Sequence, residues 1–159
     1  MRLARSLILA GLLASAASPA FADATAFIGA SPTPANRPVT GFAIGAGLLI
    51  VAFEFEYAST TEELADAAPA LRTGMGNILF QTPFPIFGVQ PYFTTGGGAY
   101  RETLGEVQET HFGVNTGGGV KVSLLGPLRA RFDYRVFNLR GSPIHSTVHR
   151  MYAGVNLRF

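Results

Sequence analysis

Val148-His-Arg-Met-Tyr-Ala-Gly-Val-Asn-Leu-Arg-Phe159 closes the chain, and its pattern governs how the rest is read. Positions 159, 157, 155, 153 and 151 are Phe, Leu, Val, Ala and Met, and between them stand Arg158, Asn156, Gly154, Tyr152 and Arg150. Strict alternation of this kind puts apolar side chains on one face of a strand and polar ones on the other. A soluble sheet seldom leaves an apolar strand ending in an aromatic at an open edge, because an unpaired edge recruits other chains. A closed membrane barrel has no edge, since its last strand pairs with its first.

The opposite end carries an export signature. Arg2 and Arg5 precede the apolar run Leu7-Ile-Leu-Ala-Gly-Leu-Leu-Ala14, and small residues lead to Ala20-Phe-Ala22. A basic start, a short apolar core and an A-x-A site mark residues 1–22 as a secretory signal peptide cleaved after Ala22. The apolar core is too short to span a bilayer as an anchor. Residues 23–159 are then expected to form one outer-membrane β-barrel domain.

Loss of the leader removes two of the twelve basic residues, so ten remain against ten acidic ones. A chain of zero formal charge gives no support for nucleic-acid binding. Cysteine is absent, which excludes a disulfide framework. Only 14% of residues are charged, against roughly 25% in soluble domains, while nineteen are glycine and thirteen phenylalanine. After the leader no apolar run reaches the ~18 residues of a spanning helix. An apolar composition without such a helix points to strands.

Eight strands are expected, at 24–31, 39–47, 49–58, 72–82, 87–101, 110–122, 128–138 and 148–159. The connections after the first, third, fifth and seventh are polar: Ser31 to Pro38, Ser59 to Leu71, Glu102 to Glu109 and Leu139 to Thr147. Those after the second, fourth and sixth are short, near Gly47-Leu48, Pro83 to Ile86, and Leu124 to Pro127. Long loops at one end and tight turns at the other is the asymmetry of an outer-membrane barrel. The first turn is placed at Gly47 because residues 39–58 exceed one spanning strand of ~9–11 residues.

Energy sets which face meets lipid. In Leu128-Arg-Ala-Arg-Phe-Asp-Tyr-Arg-Val-Phe137 the charges Arg129, Arg131, Asp133 and Arg135 all have one parity. An Arg or Lys against lipid at mid-depth costs roughly 2–4 kcal/mol, so this face turns inward and Phe132 and Tyr134 turn outward. By the same logic Phe53, Phe55, Ile78, Phe80, Phe112 and Val120 face out. Glu54, Glu56, Asn77, Gln81, Asn115 and Lys121 face in. The interior of an eight-stranded barrel is just wide enough for side chains to fill. Glu54, Glu56, Lys121, Arg131, Asp133 and Arg135, joined by Arg129, Arg150 and Arg158, are therefore expected to pair across the lumen into a polar plug. A narrow ion path through an excess of arginines is the alternative. Tyr57, Tyr134 and Phe137 near one rim, with Phe84, Phe87 and Phe159 near the other, suit interfacial aromatic girdles.

Strands five to eight carry a resemblance. Pro91-Tyr-Phe-Thr-Thr-Gly-Gly-Gly-Ala-Tyr-Arg101, Phe112-Gly-Val-Asn-Thr-Gly-Gly-Gly-Val-Lys121, Leu128-Arg-Ala-Arg-Phe-Asp-Tyr-Arg135 and Tyr152-Ala-Gly-Val-Asn-Leu-Arg-Phe159 resemble the small outer-membrane β-barrel domain family related to OmpA and OmpX. The likeness runs over 87–159 and is thin over 24–82. It implies an all-β, eight-stranded antiparallel up-and-down transmembrane β-barrel in a Gram-negative-type outer membrane. It also implies an assembly signal read by the outer-membrane assembly machinery, with Tyr152, Gly154, Leu157 and Phe159 at the signal's positions. The family hosts structural, adhesive, channel-like and enzymatic members, so fold alone assigns no activity.

Other constellations are weaker. His111, His145 and His149 with Ser142, Ser146, Glu106 and Glu109 would supply the residue types of a Ser-His-acid lipid hydrolase. Adjacent His145 and Ser146, however, point to opposite sides of an extended chain. His145 and His149 would share a metal only on a helix, which Pro143 opposes. Glu62, Glu63, Asp66, Glu102, Glu106 and Glu109 lack calcium-loop spacing and suit a charged rim, although divalent cations bridging lipopolysaccharide would also fit. Thr60 to Ala68 is expected to form a helical turn or two, ended by Pro69. Gly96–Gly98 and Gly117–Gly119 lack the strand–loop–helix context of a phosphate site and suit a tight bend of the wall.

The expectation is a monomeric, structural or porin-like barrel without catalytic activity or cofactor, whose partners are outer-membrane lipid and lipopolysaccharide and, during insertion, the assembly machinery. A membrane-embedded lipid hydrolase or acyltransferase, a narrow ion channel and a periplasmic lipocalin-like carrier are the alternatives.

Overall fold

A computed structural model describes residues 20–159. Eight strands follow one another: β1 (Ala20–Ser31), β2 (Arg37–Leu48), β3 (Val51–Thr60), β4 (Ala70–Gln81), β5 (Val89–Leu104), β6 (Val107–Leu125), β7 (Leu128–Leu139) and β8 (Thr147–Arg158). Each pairs antiparallel with the next, and β8 returns to β1 to close the barrel. The closing ladder sets Asp23 opposite Arg158 and Ala30 opposite Met151. Phe159 continues it by exchanging backbone hydrogen bonds with Ala22 at 2.8 and 2.9 Å. The alternation of the terminal strand thus ends in a seam and leaves no edge.

Most of the expected leader lies outside the described residues. Ala20, Phe21 and Ala22 stand in β1, and a chain beginning at Asp23 would keep the seam from Asp23 to Ala30.

Three kinds of sequence expectation are corrected: the place of a turn, the lengths of two connections and the face of one aromatic. The β2–β3 turn lies at Leu49-Ile50, two residues beyond Gly47-Leu48, with Leu48 opposite Val51. Leu49 holds it with φ 50°, a conformation in which Leu is an outlier, so no glycine or asparagine advertises the turn. Second, residues 102–109 are not a loop. β5 and β6 run on as a projecting arm in which Leu104 faces Val107, and Gly105 turns the chain with φ 59°. Polar composition suggested a loop, but continued pairing satisfies the arm's backbone groups. Conversely, the β4–β5 connection, expected to be short, extends over residues 82–88. Third, Phe137 is fully buried in the lumen and does not belong to a girdle. It shares the inward parity of Asp133 and Arg135, which outranks its aromatic character. Tyr57, Tyr134, Phe84, Phe87 and Phe159 are all exposed. Within residues 60–68, one 3-10 turn forms at Leu64–Asp66.

The wall separates two chemistries. Ile28, Phe42, Ile44, Phe53, Phe55, Phe80, Phe93, Phe112, Phe132, Val155 and Leu157 are exposed on its outside. Charged and polar side chains are buried on its inside. In water this arrangement would be inside out; in a bilayer it is the low-energy one.

Phe132 sits mid-strand opposite Ala153 with half its surface exposed. Phe132→Arg is expected to lower the unfolding free energy in lipid by about 2–4 kcal/mol, whereas Asn138→Arg at the rim costs less than about 1 kcal/mol. Urea unfolding of the refolded protein in vesicles measures both; equal costs would mean that Phe132 does not meet hydrocarbon.

Candidate functional site: the charged layer of the lumen

Alternate residues of β1, β3, β6, β7 and β8 converge inside the barrel because the pleat turns every second side chain to the axis. At mid-height Arg131 of β7 grips Glu54 of β3 with both terminal nitrogens, at 2.5 and 3.2 Å. Such bidentate guanidinium–carboxylate pairs combine charge with fixed geometry. Arg131 also reaches Asp133 at 3.1 Å. Arg135, one further inward position along, binds Asp133 through Nε at 2.9 Å, Glu54 at 2.9 Å and Glu56 at 3.1 Å. Arg150 of β8 completes the layer on Glu56 at 3.2 Å and on the Thr73 hydroxyl at 3.2 Å.

Lys121 takes no part in that layer. It forms a second cluster nearer the tight turns, donating to Asp23 at 2.6 Å, while Arg129 reaches the same carboxylate at 3.1 Å. Arg129 also donates to Asn156 at 2.8 Å and Gln90 at 3.0 Å. Four carboxylates (Asp23, Glu54, Glu56, Asp133) thus face five cations (Lys121, Arg129, Arg131, Arg135, Arg150). Arg158, expected within the network, stacks instead on the Phe21 ring, 4.6 Å from its centroid.

Two tyrosines complete the layer. Tyr92 donates a very short hydrogen bond to Asp133 and accepts one from Arg131 Nε at 2.8 Å. Tyr152 donates to Asp133 at 3.0 Å and to Glu56 at 3.1 Å. Asp23, Tyr92, Gln90 and Thr73 were missed from sequence. The β5 parity running Gln90, Tyr92, Thr94 pointed to two of them, but tyrosine suits either face of a membrane barrel. Inward glycines let β7 pack close and make room for these groups: a Cβ on Gly119 would run into the Phe132 carbonyl and lie 2.6 Å from the Tyr92 hydroxyl, and one on Gly117 would run into the Tyr134 carbonyl and lie 3.0 Å from Arg135 Cγ. The glycine runs do not face each other, since Gly97 pairs with Val114 and Gly118 with Phe93.

Apolar clusters close both ends. Leu71, Met75, Tyr100, Phe137, Leu139 and Val148 pack beneath the loops, and Phe21, Ala52, Leu79 and Tyr92 pack above the turns. At the loop end the Arg37 guanidinium holds the carbonyls of Thr33 at 3.1 Å and Thr61 at 3.3 Å, and that of Pro69. The acidic rim also ties loops together: Glu62 accepts from the Gly105 amide at 2.5 Å and Glu102 from the Ile144 amide at 3.2 Å. No group of three His, Asp or Glu side chains among the described residues is placed to hold a metal.

The histidines make no catalytic pairing with the serines. His111 contacts Glu109 at 3.2 Å and His149 contacts the Tyr134 hydroxyl at 2.6 Å. Among the described residues no hydrogen bond joins a histidine to Ser142 or Ser146. Of the four proposed assembly-signal residues, Tyr152 and Gly154 face the lumen, whereas Leu157 and Phe159 lie exposed outside.

An apolar exterior around a charged, hydrogen-bonded interior on eight antiparallel strands defines a small transmembrane β-barrel. Solved structures of that class share the fold. The N-terminal β-barrel domain of Pseudomonas aeruginosa OprF aligns with TM-score 0.66 and 16% identity over 87% of this chain and 97% of that one. Neisserial surface protein A aligns with TM-score 0.67 and 17% identity over 88% and 96%. The outer membrane enzyme PagL aligns with TM-score 0.54 and 12% identity over 85% and 98%. No protein-family model matches the sequence, and no curated protein matches it significantly.

Glu54 is the carboxylate shared by Arg131 and Arg135. Glu54→Gln is expected to destabilise the barrel by about 3–5 kcal/mol, because it leaves two buried guanidinium groups short of an anion. Replacing Glu54 and Arg131 together by Met is expected to cost less than Glu54→Gln alone, since one anion and one cation leave together while Arg135 keeps Glu56 and Asp133 as partners. Unfolding titrations in micelles measure both; a neutral Glu54→Gln would mean that the pair carries no stability.

Proposed function

We propose that this protein is a monomeric structural element of the Gram-negative-type outer membrane: a porin-like fold whose lumen is plugged, without catalytic activity. It would reach that membrane by cleavage of residues 1–22 and by delivery of the β8 signal, Tyr152, Gly154, Leu157 and Phe159, to the assembly machinery. Lipid and lipopolysaccharide would then surround the exposed apolar wall.

The observation that carries the proposal is the state of the lumen side chains. Arg131, Arg135 and Arg150 have 0% exposure, each lies within 3.2 Å of a carboxylate, and apolar side chains cap the layer at both ends, with Ala52, Leu79 and Tyr92 remaining at the turn end once residues 1–22 are removed. An ion entering would have to displace buried pairs whose single disruption costs several kcal/mol. A hydrolase would need a base within hydrogen-bond reach of its nucleophile. Among the described residues no histidine hydrogen-bonds Ser142 or Ser146: His111 and His149 bond to Glu109 and Tyr134, and His145 Nε2 has no partner.

The refolded wild-type protein is expected to give no steady conductance in a planar bilayer, and no acyl-chain release from purified lipid A. Stable open steps in the recording would replace the plug with a channel; released fatty acid would replace the structural role with an enzymatic one.

A further inference from the structure

The outer face of β4 and β5 departs from the aromatic wall around it. Near the loop end Arg72 stands opposite Arg101, both exposed on the outside of the barrel. The row continues to Ser59 on β3 and Thr110 on β6. Like charges directly opposite in a ladder repel, and among the described residues no carboxylate lies within 4.0 Å of either guanidinium. Arg101 is oriented by its Nε, which donates to the Thr110 hydroxyl at 3.2 Å; its terminal nitrogens make no hydrogen bond among the described residues.

Directly below, the outward rows read Tyr57, Gly74, Ala99, Phe112 and then Phe55, Gly76, Gly97, Val114. Large side chains on β3 and β6 therefore flank a trough floored by glycine and alanine. It runs about 14 Å down the wall from Arg72 to Gly76 at ~3.4 Å per residue. A groove of about 260 Å³ opens at its upper end, between Tyr57 and Arg101.

The barrel does not itself require Gly74 and Gly76 to be bare, whereas at Gly97 a Cβ would lie 2.8 Å from the Phe112 ring. A Cβ on Gly74 would come no nearer than 4.0 Å to Phe55, and one on Gly76 no nearer than 3.8 Å to a carbonyl. Neither residue has a positive φ. In contrast, the inward glycines at 117 and 119 are crowded by Arg135 and Tyr92. Empty space under two unneutralised arginines at a lipid-facing rim suits an external ligand with an anionic head and an apolar tail.

We propose that Arg72 and Arg101 clamp a phosphate of an outer-leaflet glycolipid of the lipid A class, with one acyl chain laid in the Gly74–Gly76 trough. The proposal rests on the membrane placement above. Guanidinium groups suit phosphate because their paired N–H donors match its oxygens. A phosphate monoester carries about −1.5 to −2 charge, enough to neutralise the pair. Ser59 and Thr110 flank the clamp with hydroxyls, and Tyr57 lies at the headgroup boundary where tyrosine is favoured.

Native mass spectrometry of the refolded protein in neutral-detergent micelles, titrated with bis-phosphorylated lipid A, tests this. Arg72→Gln/Arg101→Gln is expected to weaken lipid A binding about tenfold or more, and Gly74→Leu/Gly76→Leu to weaken it with both arginines intact. Wild type and the arginine variant should bind dephosphorylated lipid A equally. Inorganic phosphate at millimolar excess should fail to displace the lipid. Without lipid A the arginine variant should unfold at higher denaturant than wild type, because repulsion is relieved; with lipid A the order should reverse. Unchanged lipid A binding in the arginine variant overturns the proposal, as does displacement by inorganic phosphate, which would make the site one for a free anion. Heat-dependent mobility in detergent gels separates the two levels: a variant that keeps the folded band yet binds normally refutes the clamp alone, whereas a wild type without that band refutes the barrel. If the double variant fails to fold, Arg72→Gln and Arg101→Gln are read singly by the same criteria.

Discussion

The grip of Arg131 on Glu54 is the contact around which the interior is organised. Both groups are wholly withdrawn from water, where an unpartnered charge would be prohibitively expensive. The narrow bore of an eight-stranded barrel leaves no room to hydrate them individually. Pairing is therefore a condition for closure, and every neighbour is recruited to it. Glu54 is shared with Arg135, Asp133 bridges Arg131 and Arg135, and Tyr92 and Tyr152 donate to the lone pairs that remain.

This layer has consequences for the strands that carry it. Gly117 and Gly119 let the β7 carbonyls of Tyr134 and Phe132 approach and leave room for Arg135 and Tyr92, so the composition of β6 answers to the backbone of β7 as well as to side chains on β7 and β5. Phe137, turned inward by the parity of β7, lies beneath the Arg150 guanidinium, 4.3 Å from the ring centroid. The apolar clusters at the two ends then shield the charged middle from water. The proposed plug would rest on the same interactions that hold the fold together, which would link it directly to stability.

The outside follows a different rule. Most of the wall carries the apolar side chains that hydrocarbon demands, and its band is broken where Arg72 faces Arg101 above Gly74 and Ala99. Within the lumen nearly every charge has an oppositely charged partner; on this strip, among the described residues, the charges have none. The contrast between satisfied and unsatisfied arginines distinguishes groups that build the barrel from groups available to a ligand.

Much of this was legible in the residues themselves. Period-2 alternation in β3, β7 and β8, with the cost of arginine against lipid, was enough to place Glu54, Glu56, Arg131, Asp133 and Arg135 inside and Phe53, Phe132 and Val155 outside, because parity is a local property of a pleated strand. Partnership is not local. Lys121 meets Asp23 across 98 positions of sequence, and Tyr92 reaches Asp133 across 41; only the shear and closure of the sheet bring them to one height. The Leu49-Ile50 turn and the 104–107 arm escaped for a related reason: pairing between whole strands dictated where the chain reverses, overriding the composition of the segments that reverse it. The sequence alone determined which way each well-patterned strand faces, since burial energy acts residue by residue. Tertiary structure decided who pairs with whom, since distance across a barrel depends on register, which no single strand contains.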